Sequence, residues 1–372
     1  MKSMHSNSRK IRYGVVGLGN IAQVAVLPGF AHAQENSELV ALISSNAEKL
    51  RVLAPRYGAA ITGSYGELDD ILKTGRLDAI YVATPNTLHR GALESAARAG
   101  VHVLCEKPLA SSVEDCRSML GTAAAAKIKL MTAYRLHFEQ ANLRAIERIR
   151  KGELGTPRYF SSTFSQQVRE GDIRTRSDLG GGALFDLGIY CVNAARYLFQ
   201  AEPVEVVAMR VHGSDPRFAE TDEMTCAVLR FPEDRIAQFV ASQGAAAVQE
   251  LRVVGSKGDL RLEGGYGYHA ESREYLTVGR STVETVTPPH DQFAAQLLYF
   301  SRCILEDREP EPSGEEGLAD VQIMEAIVRA ATTGQRVGLL PIERAQRPNG
   351  SLEMCIPPAA TVEPIHAPAP SR

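Results

Sequence analysis

The sequence predicts an α/β domain built on a parallel sheet, followed by an α+β domain with a mostly antiparallel, open sheet. Three observations carry this expectation. Short apolar runs alternate with helical patterns over the first 135 residues, strands joined by short turns take over beyond about residue 150, and a glycine-rich turn directly follows the first apolar run. The apolar runs lie at 12–16, 39–43, 79–83, 102–105 and 129–132, and helical patterns at 46–57, 87–99 and 113–126 separate them. Ser111-Ser112-Val113-Glu114 has the composition of a helix start. After a helical stretch at 138–151, strand patterns follow at 158–166, 204–212, 223–231, 236–242 and 251–254, with Pro232-Glu233-Asp234 and Gly255-Ser256-Lys257-Gly258 as hairpin turns. Helices are expected at 184–198, 292–305 and 317–333. From Pro341 the chain carries seven prolines in 32 residues and is expected to wrap the surface or to lack regular elements. The expected organisation is therefore 10–135, 136–340 and a proline-rich tail over 341–372.

The bulk composition narrows the function classes. The chain has 372 residues, 44% hydrophobic and 23% charged, a globular balance that can bury a core. A formal net charge of -3 favours neither nucleic acid nor an anionic membrane surface as partner. No apolar run is long enough to span a bilayer, and residues 1–10 have no apolar secretory core, so the cytoplasm is expected. Six scattered cysteines without a C-x-x-C pair read as reduced, mostly buried thiols. No His/Cys cluster has zinc spacing, so no metal is expected.

Gly17-Leu18-Gly19-Asn20-Ile21-Ala22 fits G-x-G-x-x-A. It follows the strand Tyr13-Gly14-Val15-Val16 and opens a helix at 21–31, the context a dinucleotide site of Rossmann type needs. Its glycines permit a tight turn, and the helix start offers N–H groups to a pyrophosphate. Ser44 stands where an NAD site would carry a carboxylate. A hydroxyl there tolerates a 2′-phosphate and Lys49 can pair with it, so Ser44, Ser45 and Lys49, assisted by Arg51, predict NADP. The alternative is that Ser44 and Ser45 cap the next helix. Thr84, Pro85, Asn86 and His89 follow the fourth strand at the ligand edge, and Glu106-Lys107-Pro108 follow the fifth, near the expected nicotinamide.

The second half supplies Gly180-Gly181-Gly182, then a helix with Asp186 and Tyr190 four apart on one face and Asn193 on roughly the same side. Gly17–Ala22, Glu106-Lys107-Pro108 and Asp186-x-Gly-x-Tyr190 together resemble the Gfo/Idh/MocA oxidoreductase family. Residues 44–49, 133–138, 180–197 and 313–317 are most similar to its glucose–fructose branch, and the resemblance spans about 10–338. It implies a sheet domain whose open face serves homodimer or homotetramer formation. It also implies hydride transfer between nicotinamide and a small-molecule sugar or polyol, with Lys107, Asp186 and Tyr190 catalytic. Many relatives carry histidine where this chain has Tyr190.

Oxidising an alcohol removes a hydride from carbon and a proton from oxygen. Tyr190 is expected to take the proton. A free tyrosine titrates near about 10, so a neighbouring ammonium, Lys107, is expected to favour the phenolate. Asp186 would orient the sugar or the lysine. Tyr134, Arg135 and His137, at the end of the sixth strand where the halves should meet, are expected to touch sugar or nicotinamide, with a structural role for His137 as an equal alternative.

Two departures from the glucose–fructose branch matter. About ten residues precede the first strand, with no arm to retain a cofactor, so NADP is expected to exchange with solution. The chain has no tryptophan, so sugar stacking must use Tyr or Phe. The segment 169–178 looks least like the family, which leaves a trans-dihydrodiol or D-xylose-type dehydrogenase as the rival. A non-catalytic NADP-binding sensor would need none of the Lys, Asp and Tyr.

Overall fold

The computed structural model describes residues 9–342, 344 and 346–371; the reading of residues 1–8 lies outside them. Six strands form the first sheet: β1 (Ile11–Val16), β2 (Ser37–Ile43), β3 (Ile61–Gly63), β4 (Ala79–Val82), β5 (His102–Cys105) and β6 (Leu130–Thr132). Their order is β3-β2-β1-β4-β5-β6, and every pairing is parallel. Helices α1 (Leu27–Gly29), α2 (Ala47–Tyr57), α3 (Leu68–Lys73), α4 (His89–Arg98) and α5 (Val113–Ala126) connect the strands. Central strands such as β4, Ala-Ile-Tyr-Val, are buried at every residue because both faces of such a sheet are covered. Strand order reverses between β1 and β4, which opens a crevice at their carboxyl ends.

The second half begins with α6 (Gln140–Arg150) and β7 (Pro157–Gln167). A π turn at Leu184–Gly188 leads into α7 (Ile189–Phe199), followed by β8 (Glu205–Val211), β9 (Met224–Phe231), β10 (Arg235–Ser242), β11 (Gly244–Gly255), β12 (Gly258–Glu263), β13 (Ser272–Val278) and β14 (Ser281–Thr287). Helices α8 (Gln292–Leu305) and α9 (Gly314–Thr333) and the short β15 (Val337–Gly338) complete it. The nine strands run β14-β13-β12-β11-β7-β10-β9-β8-β15, all antiparallel except the β7–β10 pair. Helix α7 covers one face of this sheet. Val207, Met209 and Val211 of β8 project from the other face and are exposed.

The late helices return to the first sheet. Tyr13 and Ser301 hydroxyls meet at 2.8 Å, Asn36 Nδ2 donates to Leu298 O at 2.9 Å, and Thr132 N donates to Pro312 O at 2.7 Å. The halves thus share a buried seam that fixes their relative position. The six cysteines are free thiols, with Cys226 and Cys355 exposed. Among the described residues no helix is long and apolar enough to cross a membrane.

Three elements differ from expectation. Strand β3 is only three residues long, below the length at which an apolar run is legible. The β13–β14 hairpin was not expected, because its edge strands interleave Thr, Ser and charged residues with few buried apolar ones. The first helix is short: Ala22–Val26 winds as a π turn, Pro28 follows, and α1 ends at Gly29 rather than at 31. Among the described residues the tail holds one 3-10 turn at Gly350–Leu352 and an isolated bridge at Ser371, and is otherwise irregular.

Candidate active site

The crevice between β1 and β4 is shaped by Gly17, whose φ is +96°. A Cβ there would lie 2.5 Å from Ala83 O and 2.8 Å from Thr84 N, so only glycine lets the two strand ends approach this closely. At Gly19 a Cβ would meet none of the described residues within 4 Å, which leaves open space beside the π turn that starts at Ala22. Thr84 Oγ1 is buried there without a hydrogen-bond partner among the described residues. An open glycine turn at a helix start with an orphaned hydroxyl beside it fits a dinucleotide. Ile21 packs partly buried against the core, and Pro85 fixes the turn that starts at Asn86.

At the end of β2, Lys49 Nζ donates to Leu18 O in the glycine turn at 2.9 Å. Burial lowers the Lys49 pKa. Ser44 is buried, and its hydroxyl accepts from Asn46 N at 3.2 Å, while Ser45 is exposed. The cap of α2 is Asn46, which accepts from Lys49 N at 3.0 Å, so neither serine caps that helix. Arg51 is turned to Glu48 at 3.0 Å on the surface and does not assist at this position.

The crevice continues into a charged cluster formed by both halves. Lys107 Nζ donates to Asp186 O at 2.9 Å and Asp186 Oδ1 at 3.4 Å, and lies 4.6 Å from the centre of the Tyr190 ring. Lys107 and Asp186 side chains are 12% and 15% exposed, enough for contact with a small ligand. Gly182, with φ +116°, lets the chain enter the helix beside Asp222; a Cβ would sit 2.5 Å from Asp222 Oδ1. Asp222 Oδ2 accepts from Leu184 N at 3.1 Å and so fixes the start of the π turn that carries Asp186.

Two further side chains hold Asp186: Arg174 Nε donates to Oδ2 at 2.7 Å and Gln243 Nε2 at 3.1 Å. Burial alone would raise the Asp186 pKa. Arg174 and Lys107 outweigh it and hold the carboxyl below its usual range. Gln243 Oε1 is buried and without a partner among the described residues. Arg135 stands 5.0 Å from the Tyr190 ring and 4.9 Å from that of Tyr268, so Tyr190 is flanked by two cations. Glu106 accepts from Tyr81 OH at 2.7 Å, and its pKa is raised by burial.

Comparison with known proteins supplies the family. Residues 11–134 match the oxidoreductase family profile with an NAD-binding Rossmann fold, and residues 142–261 match the GFO/IDH/MocA C-terminal domain. A D-xylose 1-dehydrogenase [NADP(+)] of Haloarcula marismortui is 31% identical over 337 residues, 88% of this chain and 93% of the relative. The chain belongs to the Gfo/Idh/MocA oxidoreductase family. An aldose-aldose oxidoreductase from Caulobacter crescentus, solved with glycerol, superposes with a TM-score of 0.85 at 39% identity, covering 89% of this chain and all of that one. A 3-ketoreductase from Actinomadura kijaniata, solved with NADP and TDP-benzene, superposes at 0.80 with 26% identity over 87% of this chain and 98% of that one.

Within this family framework several expected ligand contacts take structural roles. His89 is fully buried; Nδ1 faces Pro108 O at 3.0 Å and Nε2 faces Thr84 O at 3.0 Å, so it pins the loops after β4 and β5 rather than reaching a cofactor. Asn86 Nδ2 donates to Gly180 O at 2.8 Å and ties the two halves together. Tyr134 is buried and stacks on His137 at 5.4 Å. His137 bonds Glu311 Oε2 at 2.7 Å and Asn193 Oδ1 at 2.9 Å, inside the seam. Asn193 Nδ2 reaches Glu316 and Asp320 instead of the Asp186 side. Of the three residues after β6, Arg135 borders Tyr190, and it is held by hydrogen bonds to Gln292 Oε1 and Tyr266 O.

Sequence reasoning missed Arg174, Gln243 and Tyr268. Arg174 lies in 169–178, where the family resemblance is weakest, and Gln243 sits in the step between β10 and β11, so neither carried a motif.

Proposed function

We propose that this protein is an NADP-dependent oxidoreductase that moves a hydride between nicotinamide and a carbon of an aldose or related polyol. The observation that carries the reading is the convergence of Lys107, Asp186 and Tyr190 from two halves of the chain beside the dinucleotide crevice. The serine at position 44 and Lys49 on the glycine turn favour a phosphorylated ribose, and the xylose dehydrogenase and the 3-ketoreductase are named or solved with NADP.

Bound nicotinamide supplies or accepts the hydride. Tyr190 exchanges the proton with the reacting sugar oxygen. In reduction, the charge left on its phenol is favoured by Lys107 and Arg135, which flank the ring. Lys107 is fixed by Asp186, and Asp186 is fixed in turn by Arg174 and Gln243. The orphaned Gln243 Oε1 offers an acceptor for a sugar hydroxyl. The reading includes a homodimer or homotetramer joined through the open sheet face, where Met209 is 73% exposed, and action in the cytoplasm.

A panel of aldoses, polyols and trans-dihydrodiols, assayed by nicotinamide absorbance with NADP and with NAD, tests the reading. The expected result is turnover of an aldose with NADP preferred. Firm NADP binding without turnover of any member would point to a sensor instead.

A further inference from the structure

The last part of the tail crosses between the two halves at the mouth of the dinucleotide crevice. Ile365 N donates to Gln23 Oε1 at 2.8 Å, and Gln23 Nε2 donates back to Ile365 O at 3.0 Å. Gln23 is 1% exposed and also donates to Leu18 O at 2.9 Å, so this latch is tied to the glycine turn itself. Asn20, within that turn, donates its amide to Ala367 O at 2.8 Å. At the far end Arg169 N donates to Pro370 O at 2.8 Å, and Val168 and Ser371 form an antiparallel bridge just past β7. Arg174, which holds Asp186, follows five residues later.

The segment 365–371 is therefore fastened to the glycine turn of the first half at one end and to the residues just past β7 of the second half at the other. Six residue steps of extended chain reach about 20 Å, enough to bridge such a cleft. Pro364, Pro368 and Pro370 restrict the chain before it docks, which lowers the entropy lost on docking.

We infer that residues 365–371 form the outer wall of the cofactor site, a strap that retains NADP between turnovers. The inference rests on the proposed function for the identity of the cofactor. Asn20 then acts through the strap, and the expected free exchange of NADP gives way to retention. The Caulobacter relative is matched along its full length by 89% of this chain, so part of this chain has no counterpart there.

The test compares the full chain with a chain ended after Pro358 and with the full-length variant Ile365→Pro, which removes the N–H that Gln23 accepts. NADPH release is followed by loss of bound-nicotinamide fluorescence after a chase with excess NADP, and native mass spectrometry reads the cofactor kept through gel filtration. The strap predicts retained NADP in the full chain and release at least about tenfold faster in both variants, the effect of losing a few net hydrogen bonds. Equal release rates in all three would overturn it. Slower release from the variants would also overturn it, because the tail would then be competing for the cofactor's place. A full chain that binds neither NADP nor NADPH removes the proposed function and the strap with it. Binding with unchanged release removes the strap alone.

Discussion

Lys107 Nζ stands over the Tyr190 ring, 4.6 Å from its centre, while its hydrogen bonds go to Asp186. The ammonium therefore addresses the phenol through its charge and its face, and Asp186 sets where that charge sits. Replacing Lys107 by Met leaves Asp186 with Arg174 and Gln243, so the fold should hold. Turnover should fall by about 10²- to 10⁴-fold, the scale of a lost proton-transfer partner. Steady-state kinetics beside a melting curve checks this; a loss of activity matched by a comparable loss of folded protein would assign Lys107 to structure.

Tyr190→Phe keeps the ring contacts with Phe164 at 5.5 Å and Tyr266 at 6.1 Å. Stability should change by about 1 kcal/mol or less, whereas kcat should drop by about 10²-fold or more. Turnover within a few-fold of the parent would remove Tyr190 from the chemistry.

Arg174 is the nearer of the two cations that keep Asp186 ionised. The Asp186 pKa is lowered in the folded protein, so Arg174→Met should let it rise. If the ionised carboxylate is the working form, the acid limb of the kcat/KM profile moves to higher pH. Arg174→Lys should move it less. An unshifted acid limb in Arg174→Met would show that Asp186 does not govern activity.

The parallel first sheet, the hairpins around 232–234 and 255–258 and the meeting of Lys107, Asp186 and Tyr190 were legible because each follows from a local pattern: apolar period, turn residues, or motif order. Lys107, Asp186 and Tyr190 meet because β5 and the π turn at Leu184–Gly188 both end at one crevice, which motif order implied. What stayed hidden depended on contacts distant in sequence. His137 could be read equally as a ligand or as a structural residue because it follows β6, and the partners that decide for structure, Asn193 and Glu311, lie 56 and 174 residues away. The strap was equally invisible, since nothing in a proline-rich tail says that Ile365 will find Gln23, 342 residues earlier.

His137 supplies a pH test of stability. Burial opposes its charged form, but Glu311 and Glu316 outweigh burial and raise its pKa. In the unfolded chain the ring titrates near about 6.5. The folded value lies above that, so this stabilisation is full below about 6.5 and is lost as pH rises through the folded value. The cost of His137→Gln, measured by urea unfolding, should therefore be larger at mildly acid pH than at mildly alkaline pH. A cost that does not change across that window would mean His137 stays neutral in the fold.

Ser44 lies at the end of β2, with Lys49 reaching back to Leu18 O. On the proposed reading, the ribose 2′ position lies beside residue 44, and a carboxylate there would face it. Two like charges 4 Å apart repel by about 1 kcal/mol in water and about 4 kcal/mol at an effective dielectric of 20. Ser44→Asp should therefore cut kcat/KM for NADP by about tenfold or more. The value for NAD should hold or improve, because a carboxylate can accept from the ribose 2′-OH. Lys49→Ala should lower NADP use in the same direction without helping NAD. The ratio of kcat/KM for the two cofactors in both variants measures this, and a ratio unmoved by Ser44→Asp would place the 2′-phosphate away from β2.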